Sequence, residues 1–101
     1  MNDDASLLRS YADHGSEAAF AELVRRHLDL VYGTALRRMR GDVHSAADVA
    51  QQVFTKLAQN AGKLSRHTVV GAWLHTATRN AALNLMISDQ RRKTRDAAAL
   101  A

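Results

Sequence analysis

The sequence predicts an all-α fold, a compact bundle of about four helices in one domain over residues 1–101. Three observations carry that expectation. The 101 residues contain no proline and five glycines, so little in the chain interrupts a helix. Apolar residues recur at three- and four-residue spacing in several separate runs, the period of a helix with one buried face. Residues that accept hydrogen bonds from free helix N–H groups stand ahead of those runs. At 47% apolar the chain supports a single core, and a domain of this size buries only about two-thirds of its unfolded surface.

Taken in order, Asp3 and Asp4 cap a short first helix bearing Leu7, Leu8 and Tyr11, which Gly15 ends. Ser16 caps the second, with Glu17 just inside it and Phe20, Leu23, Val24, Leu28, Val31, Ala35, Leu36 and Met39 on its apolar face. Gly41 and Asp42 close that helix. Ser45-Ala46-Ala47-Asp48 matches a capping box and opens a third helix with Val49, Ala50, Val53, Phe54, Leu57 and Ala58 inward. From Asn60 to His67 the period is lost, which reads as a loop. Thr68 caps a fourth helix with Val70, Trp73, Leu74, Ala77 and Ala81 on one face. It runs into Arg91-Arg92-Lys93-Thr94-Arg95, and the Ala-rich stretch 97–101 is the place for fraying. Helices this short need one another to be stable in water.

Composition excludes several classes. Without cysteine there is neither a disulfide nor a thiolate metal site. The five histidines show no ligand spacing such as His-Glu-x-x-His, so no metal and no cofactor is expected. His27 reads as a half-buried histidine beside the second helix's stripe. No Gly-rich phosphate loop or nucleophile elbow is present, and no enzymatic activity or small-molecule substrate is expected. No apolar run nears the roughly 20 residues of a membrane span, and a cytoplasmic location follows by default. Charge is uneven: residues 1–36 carry −3 and residues 37–101 carry +7. A basic half on a small domain points to a polyanion, most often nucleic acid. A solubilising surface would look the same.

Two stretches go further: Ala46-Ala47-Asp48-Val49-Ala50-Gln51-Gln52-Val53-Phe54-Thr55-Lys56-Leu57 and Gly71-Ala72-Trp73-Leu74-His75-Thr76-Ala77-Thr78-Arg79-Asn80-Ala81-Ala82. With a basic loop between them, and with Glu17-Ala18-Ala19-Phe20-Ala21-Glu22-Leu23-Val24-Arg25-Arg26 upstream, they resemble region two of the sigma-70 family, in its extracytoplasmic-function (ECF) group. The resemblance spans roughly residues 3–95. It implies a domain that docks on core RNA polymerase, against the coiled coil of the largest subunit, and that recognises and melts the minus-ten promoter element. Asp48, Gln51 and Gln52 fall at the family's polymerase-contacting positions. Their spacing puts all three on one polar helix face. Gln52 stands where the family usually has an acid, which removes one charge favourable to a basic partner.

The resemblance also implies that the loop and fourth helix hold the non-template strand, with one base flipped into a loop pocket. Its loop candidates are Lys63, Leu64, Ser65, Arg66 and His67; its helix candidates are Thr76, Arg79, Asn80 and Asn84. The Arg91–Arg95 cluster, with Arg91 and Arg92 as its named candidates, either follows DNA phosphates or begins a linker. The residue types suit the task. Lys and Arg neutralise phosphates, Asn pairs with a base edge, and a flipped base needs a formed pocket. Trp73 is expected in the core although the family places it near the melted segment's upstream edge. With five aromatics, mostly on apolar faces, general single-strand stacking is a poor fit. A helix-turn-helix is disfavoured because its turn has only three or four residues. A basic helical protein-interaction module, or an anti-sigma-binding fragment without DNA recognition, remains the alternative. An anti-sigma factor is a typical partner in the group. The group's second domain, which reads the minus-thirty-five element, is not expected in this chain, which reads as a truncated piece or the front of a longer protein.

Overall fold

In a computed structural model, which describes residues 3–66 and 69–100, the chain forms five helices. These are α1 (Asp4–His14), α2 (Glu17–Arg38), α3 (Val43–Gln59), α4 (Ala61–Leu64) and α5 (Val70–Leu100). The described residues include no strand. Helices α2, α3 and α5 pack on one another in a three-helix core, while α1 lies against α2 and α4.

Local chemistry explains most boundaries. Asp3, not Asp4, caps α1: its carboxylate accepts the Ser6 N–H at 2.7 Å, and that bond holds its pKa below the ordinary value. Asp4, already inside the helix, reaches across to α2, where it meets His27 Nε2 at 2.7 Å and Arg26 at 3.3 Å. Gly15 ends α1 in the left-handed conformation at φ +64°, which glycine adopts without steric cost. The Ser16 hydroxyl accepts the Ala19 N–H and starts α2.

Along α2 the buried residues are Ala19, Leu23, Val31, Thr34 and Ala35. Leu28, expected on this face, is 42% exposed. The stripe runs from Leu23 through His27 to Val31, four residues at a time, so His27 takes the inward position and Leu28 falls to its side.

The turn from α2 to α3 departs further from expectation. The Gly41 N–H donates to the Leu36 carbonyl at 2.9 Å, and the Arg40 N–H donates to the Arg37 carbonyl at 3.3 Å, which is a Schellman ending. Its left-handed position, at φ +56°, is held by Arg40. An L-residue there costs about 1–2 kcal/mol. Asp42 then caps α3, accepting the His44 and Ser45 N–H groups and the Ser45 hydroxyl. The capping pair is therefore Asp42 with Ser45, three residues before the expected Ser45 with Asp48. Buried Ala46, Val49, Ala50, Val53, Phe54 and Leu57 hold α3 in place.

The segment expected to be a loop contains α4, one helical turn closed by Leu64 N–H to Asn60 O and Ser65 N–H to Ala61 O, each at 2.9 Å. The Thr68 cap lies outside the described residues. On α5 the buried residues are Val70, Leu74, Thr78 and Ala82, each four apart. Thr78 satisfies its buried hydroxyl by donating to the Leu74 carbonyl at 2.6 Å. Trp73 is half-buried against the core, as expected. The helix continues through 97–100 where fraying was expected. At 1.5 Å per residue its 31 residues extend about 46 Å, and beyond Gln90 every described residue is exposed.

Candidate nucleic-acid and polymerase interface

Because Val49, Val53 and Leu57 face the core, the opposite side of α3 is polar. Asp48, Gln51, Gln52, Thr55, Lys56 and Gln59 are exposed there and line an open depression. Asp48 takes no part in capping, and it has no ion pair or hydrogen bond among those found for the described residues. Its carboxylate is free to meet a partner.

A second, smaller depression lies where α3 meets α5. Gln52, Val53 and Lys56 form one wall; Ala77, Asn80, Ala81 and Asn84 form the other. The floor is made of small and branched apolar side chains and the rim of amides and one ammonium. Asn80 and Asn84, one turn apart on α5, thus stand beside Gln52 of the trio expected to contact polymerase. The two expected contact sets adjoin, and Lys56, which sequence reasoning did not single out, belongs to both depressions. Its spacing of four from Gln52 and eight from Asp48 is the signal that points to it.

Thr76 and Arg79 are also exposed on α5, away from the buried stripe, and neither lines the Asn80–Asn84 depression. Around α4, Lys63 and Arg66 are exposed and Leu64 is half-buried. Ser65 is the buried member of this set. Its hydroxyl donates to the Gly62 carbonyl at 3.2 Å, which braces the turn. His67 lies outside the described residues. Arg91 is exposed, and Arg92 pairs with Asp89 at 3.0 Å.

Among the described residues, no three His, Asp or Glu side chains are placed to hold a metal ion, and no helix is long and apolar enough to cross a membrane.

The described residues thus form a small all-α bundle with amides and one ammonium gathered where α3 meets α5. The chain belongs to the Sigma-70 region 2 family, which residues 23–93 match. It is 34% identical over 74 residues to the ECF RNA polymerase sigma factor SigE of Mycolicibacterium smegmatis, an alignment covering 73% of this chain and 28% of that protein. It is 33% identical over 82 residues to the ECF RNA polymerase sigma factor SigW of Bacillus subtilis, covering 81% of this chain and 41% of that protein. The chain therefore spans less than half the length of these curated relatives. No solved structure matches it.

Proposed function

We propose that this chain is the part of an ECF sigma factor that docks on core RNA polymerase through α3 and recognises and melts the minus-ten element through the 62–84 segment. It acts in the cytoplasm as a specificity factor, not as a catalyst, and an anti-sigma factor is its natural regulator. One observation supports this reading most: the α3 polar face carrying Asp48, Gln51 and Gln52 adjoins the groove carrying Asn80 and Asn84. A polymerase surface seated on α3 would deliver a separated DNA strand directly to α5. Family membership supplies the partner class, and the +7 charge after residue 36 suits a polyanion.

Capture of core RNA polymerase tests the docking half. Asp48→Ala/Gln51→Ala, with unchanged helicity by circular dichroism, is expected to lower capture at least about tenfold, equivalent to about 1.4 kcal/mol. Asn80→Ala/Asn84→Ala is expected to leave capture intact and to lower promoter opening, followed by permanganate reactivity of unpaired thymines. Failure of the unmodified chain to be captured at moderate salt would favour a protein-interaction module without polymerase.

A further inference from the structure

Two cations that neither contact set uses, Arg38 and Arg40, meet Lys93 of the Arg91–Arg95 cluster at one corner of the bundle. Arg38 and Arg40 come from the end of α2 and Lys93 from α5, 53 residues later in the chain. They line a single depression together with Asp42 and Asp89. Both acids are already engaged: Asp42 caps α3 and holds the Ser45 hydroxyl, and Asp89 pairs with Arg92. None of the three cations has an ion-pair partner among the described residues. With Arg92 counted beside Arg38, Arg40 and Lys93, four cations stand against two carboxylates, and the corner keeps a net charge of +2.

Arg40 adds a second, independent observation. It occupies the left-handed position of the α2 ending, where glycine is the usual residue and costs least. The chain carries a strained arginine at the one place in this turn where a glycine would serve the backbone better. Strained residues persist where the surrounding structure holds them for use.

We propose that Arg38, Arg40 and Lys93 form a second DNA contact, a phosphate-binding corner that grips the duplex flanking the melted segment. The proposal rests on the promoter-binding reading above. Phosphates are the ligand because three cations on an open surface, with no aromatic among the lining residues and Gln90 as the one amide, suit a charged backbone better than a base edge. Spacing along α5 sets where on DNA they act. Lys93 lies nine residues beyond Asn84 and thirteen beyond Asn80, about 14–20 Å along the helix. At 3.4 Å per base pair that is about four to six pairs from the bases met at those amides. The favourable effect of cations on the α2 C-terminus explains Arg38 on its own. It explains neither the left-handed arginine nor the meeting with Lys93.

The test uses the chain in complex with core RNA polymerase and fork-junction promoter probes. Each probe has a single-stranded non-template segment and one duplex arm of either 3 or 10 base pairs, placed on each flank in turn. Affinity is followed against salt for the unmodified chain and for Arg38→Ala/Arg40→Gly/Lys93→Ala. Neutralising a phosphate contributes about 0.9 to the salt slope. The expected result is a slope shallower by about 2–3 on the 10-pair arm of one flank, with no change on either 3-pair arm. Equal slopes on every probe, with polymerase capture and helicity retained, would overturn the proposal and leave the cations serving α2. Equal losses on 3- and 10-pair arms would also overturn it, assigning the charges to the single strand. Failure of the unmodified complex to bind any probe would overturn the promoter reading and this corner with it. Arg40→Gly alone keeps the test independent of folding, since it relieves backbone strain.

Discussion

Leu57→Ala probes the element on which the functional reading depends most. Leu57 is fully buried on α3, directly opposite the polar face of Asp48, Gln51 and Gln52. The substitution removes three carbons, worth about 2.4 kcal/mol in transfer from water. The cavity left behind raises the total to about 3–4 kcal/mol. A chain of this length has about 5–15 kcal/mol of stability in all, so the change removes a large share of it. At 4–8 °C per kcal/mol, the melting temperature should fall by roughly 12–30 °C. Thermal unfolding followed at 222 nm measures it directly. Gln51→Ala is the internal control: exposed on the opposite face, it should change stability by no more than about 0.5 kcal/mol. A loss under about 5 °C for Leu57→Ala, or a loss at Gln51 as large as at Leu57, would mean that α3 is rotated about its axis. The assignment of its polar face to a partner would then fail with it.

Two further outcomes concern the turns. Asp42 and Asp3 have pKa values lowered below the ordinary 3.8, chiefly by the backbone N–H of Ser45 and of Ser6. A carboxylate with a depressed folded-state pKa contributes stability that is present above its unfolded pKa and is lost as pH falls through the folded one. Asp42→Ala should therefore melt lower than the unmodified chain at pH 7, and the gap should close below about pH 4; a gap unchanged down to pH 2 would refute the cap. Arg40→Gly should raise the melting temperature: relief of about 1–2 kcal/mol of left-handed strain exceeds the 0.5–1 kcal/mol that glycine's added chain freedom costs. A lower melting temperature would show that the Arg40 side chain supports the fold.

Long periodic segments made α2, α3 and α5 readable from sequence, because burial of one face leaves a repeating mark over four or more turns. The single turn of α4 leaves no such mark, so its residues read as loop. The start of α3 was ambiguous for a related reason. Asp42-x-x-Ser45 and Ser45-x-x-Asp48 both suit a helix start, and periodicity further along cannot choose between them. The outcome matters functionally, since it releases Asp48 from capping. Placement of Ser65 and Leu28 depended on which way a short turn and a histidine-bearing stripe face, which neighbours decide. The site divides the same way. Each helix wheel showed which amides share a face, and so Asp48, Gln51 and Gln52, and separately Asn80 and Asn84, were legible. That Asn80 faces Gln52 and Lys56, or that Lys93 meets Arg38 and Arg40, is a matter of which helices are neighbours in space. Residues so far apart in the chain carry no local trace of it.

The attachment of α1 has a consequence for where this unit begins. The family model matches residues 23–93, yet Leu7 and Leu8 are part of the same buried core, and α1 backs α4 while Asp4 clasps His27. A chain trimmed to the homologous stretch would lose that backing and the Ser16 cap together. The 61–66 turn, with its two exposed cations, would lose the wall behind Ala61. The stretch that the family model matches and the unit that packs together are different objects here. The longer one is what has to be made for the 61–66 turn to keep its shape.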